Sequence, residues 1–299
     1  MATCTIPRVT GICQCALPVK NAFKQILVPL YNSSGEINKF DSVDAVTLQA
    51  LQTKFDEIHP LDRFYALPLL ENVEDVRGDS VFSEYNSGRK KRLRQGTRTF
   101  QGWQPDGDTK YFKRLEEWIG GVFGMYVIDV DGNFVYNDDG SGEVLPIPVD
   151  GNSFDPKVVY ETDSDAYHVM LMFDYGQYYD DGNTWMIPKA SLDFDGRIPG
   201  VLYGLLPLVI RMDTVEAGTS TKVDVHTDCK VPVTGLLFGD FAMYDVTLDI
   251  VLNVTAAVEN LNKPGNYELT STATIQGNNT RVTVAKVKYE TGIVEYIAQ

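Results

Sequence analysis

Short apolar segments separated by turn residues run through most of the chain, and their periodicity predicts a mainly β protein. The clearest segments are residues 24–31, 123–130 and 166–173. In the third segment, His168 alternates with apolar residues, as it would in a strand with one face in the core. We therefore predict that His168 is a packed strand residue and not a ligand.

Helical spacing of apolar residues occurs in two places. Residues 109–118 and the position after them carry one apolar face, formed by Tyr111, Leu115, Trp118 and Ile119. Asp108 or Thr109 can cap the start of this helix, and two glycines end it. Residues 42–55 fit helical spacing only approximately. We expect a short amphipathic helix that flanks the β structure.

A hairpin-like arm with a very basic middle is predicted at residues 81–103. The turn residues 86–88 separate its two extended halves. The cations of the arm are Arg89, Lys90, Lys91, Arg92, Arg94 and Arg98. They could contact nucleic acid or phosphate, or they could pair with acidic patches on a neighbouring subunit. The acidic balance of the chain favours the second interpretation, and three aromatic residues are further interface candidates: Phe100, Trp103 and Trp118.

The pattern of apolar and polar residues changes after a polar segment of small residues at 212–220. Short strands then follow at a spacing of about ten residues, which is typical of a small β-sandwich. Tyr267 has the placement often seen in the penultimate strand of immunoglobulin-like domains. These features predict three parts: an N-terminal arm (1–22), a β domain with the hairpin arm (23–212) and an Ig-like β-sandwich (213–299).

Charge and cysteine usage narrow the classes of function. The formal net charge of the 299-residue chain is −15, so free nucleic acid is a poor ligand. No apolar run is long enough for a membrane-spanning helix, and the N-terminus lacks the pattern of a signal peptide. Cys4, Cys13, Cys15 and Cys229 are not spaced as zinc ligands, and we expect no metal or cofactor.

Sequence signatures of catalysis are missing as well. The chain has no nucleophile elbow, P-loop, zinc-protease helix or dinucleotide glycine motif, so we expect no enzyme activity. The spacing Asp129-x-Asp131-x-Asn133 resembles the start of a calcium loop. It lacks the glycine and the glutamate that such a loop needs at its sixth and twelfth positions, which favours a hairpin turn.

The order of these elements resembles that of bacteriophage tail tube proteins. The segments that carry the resemblance are residues 64–71, 88–103, 113–118, 124–136 and 145–155. The resemblance implies a tail-tube-like β-sandwich or partial barrel with a flanking short helix. It also implies hexameric rings that stack into a tube, an arm (80–101) that reaches a neighbouring subunit, and an acidic lumen through which DNA slides without specific binding.

Partners and location follow from the same resemblance. The partners would be further copies of the chain and other virion tail proteins, and no membrane would be involved. The chain would be made in the host cytoplasm and would reside in the virion tail. The long N-terminal segment and the dense basic cluster depart from the family pattern. They could instead indicate a ring or collar connector. A carbohydrate- or receptor-binding virion module is the other alternative, suggested by the Tyr- and Asp-rich residues 175–185 and by the C-terminal sandwich.

Overall fold

The computed structural model describes residues 20–163, 166–177, 179–198, 202, 204, 208–214, 218–227, 230–245, 250–275, 280–284 and 292–296. The N-terminal arm predicted at 1–22 lies almost entirely outside these residues. The chain forms two compact units, Met1–Tyr203 and Gly204–Gln299, so the division falls earlier than the expected one after residue 212. The predicted mainly β fold with short helices is confirmed.

Within its described residues, the first unit carries two α-helices among antiparallel strands. In chain order its elements are β1 (Ala22–Pro29), α1 (Leu48–Phe55), β2 (Tyr65–Leu69), β3 (Glu71–Arg77), β4 (Val81–Glu84), β5 (Lys90–Arg94), β6 (Arg98–Gln104), α2 (Thr109–Glu116), β7 (Phe123–Asp129), β8 (Phe134–Asn137), β9 (Ile147–Val149), β10 (Asp155–Val159), β11 (His168–Asp174) and β12 (Thr184–Ile187). Short 3₁₀ turns lie at Val43–Ala45, Gly151–Ser153, Asp181–Asn183 and Lys189–Ser191.

The described strands of this unit form three sheets. A six-stranded sheet has the order β12-β8-β7-β1-β2, with β9 also paired to β7. A four-stranded sheet has the order β10-β11-β6-β3, and β4 and β5 form a separate two-stranded ribbon. Because β3 leads into β4 and β5 leads into β6, the ribbon is the outer part of one long hairpin whose base belongs to the four-stranded sheet.

The six-stranded sheet is buried on both faces at its centre. Every residue of β7 is buried, which explains why no charged residue precedes Asp129 at its end. Along β1, Leu27 packs in the core between the two larger sheets, whereas Ile26 and Val28 pack in a second core on the opposite face. These alternating directions are those of a regular strand.

The two helices close these two cores. Leu51 and Phe55 of α1 pack in the core on the opposite face, and Leu115 of α2 packs in the core between the sheets. Asp108 caps α2 by accepting a hydrogen bond from the amide of Tyr111 at 2.7 Å. The helix ends at Glu116, so the expected apolar face is shorter than predicted and Ile119 is exposed beyond it.

The segment that resembles a calcium loop is a hairpin turn between β7 and β8. Asp129 accepts hydrogen bonds from the amides of Asp131 and Asn133 and from the Asn133 side chain, at 2.8–2.9 Å. Gly132 has φ +89°, a conformation that favours glycine. The carboxylate of Asp129 is therefore occupied by the turn itself, as the hairpin interpretation predicts.

The second unit is a β-sandwich. Its strands are β13 (Leu208–Thr214), β14 (Gly218–Thr227), β15 (Phe241–Asp245), β16 (Ile250–Leu252), β17 (Val254–Glu259), β18 (Asn266–Ile275), β19 (Thr280–Val284) and β20 (Gly292–Tyr296), with a 3₁₀ turn at Phe238–Asp240. The sheet orders β13-β14-β18-β17 and β16-β15-β19-β20 match the A-B-E-D and C′-C-F-G orders of immunoglobulin domains. One core lies between the two sheets, and the rings of Phe241 and Tyr267 meet across it at 5.4 Å.

Two details of this unit differ from the sequence-based expectations. Strand β13 (Leu208–Thr214) pairs with β14, so it opens the second unit, although most of it falls within the β domain predicted at 23–212. Tyr267 lies on β18, which is third from last and not penultimate. Its hydroxyl donates to the carbonyl of Val233 at 2.8 Å and accepts the amide of Leu236 at 3.1 Å. Tyr267 thus holds the segment between β14 and β15 against the sandwich.

Candidate functional site

The outer part of the long hairpin is exposed along its whole length. All five residues of β5 are exposed, and so are three of the four residues of β4. At the tip, the amide of Tyr85 donates to the carbonyl of Arg89 at 2.9 Å, and the amide of Gly88 donates to Tyr85 at 2.8 Å. We call residues 81–94 the ribbon. A two-stranded ribbon of this kind is only marginally stable alone in water, which suits a part that becomes covered.

The ribbon carries five of the six predicted arm cations, all of them exposed: Arg89, Lys90, Lys91, Arg92 and Arg94. Four large apolar side chains are exposed on it too: Val81, Phe82, Tyr85 and Leu93. The strand register sets Phe82 opposite Arg92 and Val81 opposite Arg94. Basic and apolar groups are therefore interleaved, a composition suited to a protein surface with acidic and apolar groups.

The two strands of the hairpin approach each other closely at Gly78 and Gly96, between the ribbon and the four-stranded sheet. We call this point the waist. The amide of Gly78 donates to the carbonyl of Thr97 at 2.8 Å. A Cβ atom added to Gly96 would lie 1.9 Å from the carbonyl oxygen of Gly78, so the two backbones approach too closely for any side chain at position 96. The glycines keep the two halves of the hairpin in contact where the sheet ends.

Arg98 is separated from the other five cations. It lies on β6 in the four-stranded sheet and forms a bidentate ion pair with Asp75, at 2.7 and 2.6 Å. Its third contact is to Asp181 at 3.0 Å, and its guanidinium stacks over the ring of Tyr175 at 4.3 Å. Its hydrogen-bonding groups are engaged within its own chain, so the structure places it among the groups that hold the base of the arm.

Asp75, Asp181 and Tyr175 complete a network around Arg98. Asp181 also accepts from Arg77 at 2.6 Å, and Arg77 donates to the carbonyl of Gly96 at the waist at 2.7 Å. Burial keeps the pKa of Tyr175 well above its ordinary value, so its hydroxyl stays protonated and donates to Asp75 at 2.8 Å. The network ties both strands of the arm's base to the turn before β12.

Acid should weaken this network through Asp181. The hydrogen bond from Arg77 outweighs burial and lowers the pKa of Asp181 below its ordinary value of 3.8. A carboxylate with a lowered folded-state pKa stabilises the fold fully above its unfolded-state pKa, and that stabilisation is lost as pH falls through the folded-state pKa. We therefore expect Asp181→Asn to lower the free energy of unfolding at neutral pH, and we expect this deficit to shrink below pH 3.8.

The measurement is denaturant unfolding of the two proteins from about pH 5 to about pH 2. The other carboxylates titrate in both proteins and cancel in the difference. Asp79→Asn, on the exposed segment before β4, serves as the control and should track the wild type. A deficit for Asp181→Asn that stays constant across this range would show that the charge of Asp181 does not stabilise the fold.

The three predicted interface aromatics occupy different environments. The prediction for Phe100 is wrong: its side chain is 0% exposed and stacks on Phe173 with ring centroids 4.8 Å apart. Trp103 is half-buried on the outer face of the four-stranded sheet and stacks on His168 at 4.2 Å, which confirms His168 as a packed strand residue. Trp118 is half-buried against Tyr65 and Phe123, both at 5.1 Å.

The Tyr- and Asp-rich segment 175–185 offers little exposed aromatic surface. Tyr175 and Tyr179 are buried in the core between the sheets. Trp185, on the edge strand β12, is 38% exposed. Within the described residues of this segment, Trp185 alone could stack on a sugar ring, so the observations give the carbohydrate-binding alternative little support.

Other kinds of site receive no support from the part of the chain that the structure describes. There, no group of three or more His, Cys, Asp or Glu residues is arranged to hold a metal ion. No helix among those residues is long and apolar enough to cross a membrane. Cys4, Cys13, Cys15 and Cys229, which were not expected to bind a metal, lie outside the described residues.

Comparison with known proteins gives no family for this chain. A scan against protein-family models finds no match, and a search of curated proteins finds no significant relative.

Proposed function

We propose that this chain is a self-assembling virion structural protein, of the tail-tube type, whose ribbon joins one copy to the next. In this proposal hexameric rings stack around a lumen that conducts DNA, and other tail proteins bind the ends of the tube. The assignment to a virion rests on the resemblance of element order. The assembly role rests on a physical observation, the exposed basic and apolar ribbon on an otherwise acidic chain.

The ribbon supports assembly for two reasons. Its unpaired strand edges and exposed apolar groups would favour indiscriminate aggregation unless they were covered or guarded by charge. Its five cations provide that guard, and they also select an acidic partner. Because the chain itself has a net charge of −15, another copy supplies such a partner.

The same charge argues against the ribbon as a nucleic-acid site. Binding to phosphates needs a positive surface, whereas a negative surface lets DNA pass without sticking. A ring or collar connector of the virion would use the ribbon in the same way, and electron microscopy of the assembled particle separates that alternative from a tube. The proposal includes no catalytic step, cofactor or membrane contact.

Charge reversal on the ribbon tests the assembly role. We expect Arg92→Glu combined with Arg94→Glu to raise the concentration needed for assembly by about tenfold or more, equivalent to about 1.4 kcal/mol per copy. Both side chains are exposed, so the unfolding temperature should stay within a few degrees of the wild type. Sedimentation velocity over a concentration series measures the assembly.

Lys222→Glu combined with Lys230→Glu is the matched control. Both lysines are exposed, and the change in net charge is the same, but they lie on the second unit. This control should assemble like the wild type. If the ribbon variant assembles at the same concentration as the wild type, the ribbon does not join one copy to the next.

A further inference from the structure

A second exposed surface of the first unit complements the ribbon. At the end of the unit where β1 finishes and β7 begins, six large apolar side chains are exposed: Tyr31, Ile37, Ile58, Leu61, Ile119 and Val122. We call these six residues the end patch. Ile58 is 67% exposed and Val122 is 63% exposed. A group of exposed apolar side chains is informative where a single one is not, because such patches mark interaction surfaces.

Backbone contacts bring the segments of the end patch together. The amide of Leu30 donates to the carbonyl of Val122 at 3.1 Å, and Tyr31 forms a β-bridge with Ile37. The buried side chain of Asn38 donates to the carbonyl of Leu61 at 2.7 Å. These contacts join three chain segments into one surface, although the segments are far apart in the sequence.

The loop that presents Ile58 is fixed from inside. Arg63 is buried, and it donates to the carbonyls of Glu57 and Ile58 at 2.6 and 2.7 Å. Ser33 holds the following turn through two hydrogen bonds to Asp62, at 2.8 and 2.7 Å. Interfaces gain affinity when their surface is held in place before binding, so a loop fixed in this way suits a docking surface.

Carboxylates border the end patch. Glu36 precedes Ile37, Glu57 precedes Ile58, and Glu116 and Glu117 lie just before Ile119. The guanidinium of Arg114 lies 4.0 Å from the carboxylate of Glu117 and offsets part of its negative charge. An apolar centre with an acidic border is the complement of the ribbon, where apolar side chains alternate with cations.

We propose that the end patch of one copy receives the ribbon of another copy. The inference rests on the proposed assembly function and adds the acceptor surface to it. In the chain itself the two surfaces do not cover each other, because Phe82 of the ribbon is 54% exposed and Ile58 of the patch is 67% exposed. A contact between different surfaces of two copies is heterologous, so it can continue from copy to copy into rings or filaments.

Exchange of charge between the two surfaces tests this assignment. We expect Glu36→Lys combined with Glu57→Lys to raise the concentration needed for assembly by about tenfold, as the ribbon variant does. A chain that carries these changes together with Arg92→Glu and Arg94→Glu should assemble again, because the opposite charges face each other once more. Sedimentation velocity measures assembly, and circular dichroism confirms that each variant is folded.

The outcomes separate this inference from the proposed function. If the ribbon variant assembles less readily than the wild type while the patch variant assembles normally, another surface receives the ribbon. In that case the inference is wrong and the proposed function is not. Failure of the four-substitution chain to recover assembly, with its fold intact, overturns the inference as well. If the patch variant does not fold, Ile58→Ser at the exposed apolar centre replaces it and should weaken assembly in the same way. A wild type that never assembles refutes the function and the inference together.

Discussion

Truncation of Phe100 to alanine should destabilise the first unit by about 3–5 kcal/mol, the cost typical of a large side chain removed from a close-packed core. Phe100 has no exposed surface, and it stacks on Phe173 between the two larger sheets. Loss of the ring would leave a cavity that the neighbouring strands can fill only in part. Equilibrium unfolding in urea, followed by tryptophan fluorescence, measures the change.

Phe82→Ala is the matched control for Phe100→Ala. The same chemical change on the exposed ribbon should alter the free energy of unfolding by about 0.5 kcal/mol or less. It should weaken assembly, whereas Phe100→Ala should act on folding. Equal losses of stability in the two variants would mean that Phe100 does not lie in the core.

Replacement of Arg98 by leucine should cost about 2–3 kcal/mol, because charged groups that lose hydrogen-bonded partners in partly buried sites are expensive. The Arg98 and Asp75 side chains are 17% and 25% exposed, so solvent reduces the effect below that of a fully buried pair. Of its hydrogen bonds to Arg98 and Tyr175, Asp75 would keep only the one from the Tyr175 hydroxyl. The base of the hairpin should then exchange its amide hydrogens faster, which mass spectrometry can detect.

Arg94→Leu separates this effect from the loss of a positive charge. Arg94 lies on the exposed ribbon only four residues before Arg98, and its removal should change stability by about 0.5 kcal/mol or less. If Arg94→Leu and Arg98→Leu destabilise the protein equally, the network at the base of the arm does not hold it in place. If neither variant changes hydrogen exchange at the base, the same conclusion follows.

Local periodicity was sufficient to predict much of the fold. The unbroken apolar run of β7, the alternation in β11 and the Asp-Gly turn after β7 each contain their own structural signal. The sandwich of the second unit followed from regularly spaced strands, and its sheet order is that of an immunoglobulin domain. These features depend on residues that are close together in the chain, so one sequence is enough to predict them.

The environments of the candidate site residues depended on long-range packing. Phe100 and Trp103 are three residues apart on β6, so their side chains lie on opposite faces and could not both serve one interface. The sequence does not say which face becomes the core. Arg77 and Asp181 are 104 residues apart, and no local pattern links them. The residues Asp-Gly-Asn at 181–183 are typical of a turn, and this local pattern does not indicate a distant ion-pair partner.

Electron microscopy of the purified wild-type protein in negative stain tests the central claim most directly. The account predicts rings, or tubes built from stacked rings, whose number increases with protein concentration and whose wall is one protein thick. In the variant with Arg92→Glu and Arg94→Glu the particles should appear only at a concentration about tenfold or more above that of the wild type, whereas the variant with Lys222→Glu and Lys230→Glu should form them like the wild type. A wild-type protein that stays monomeric at every concentration and salt condition would contradict the account.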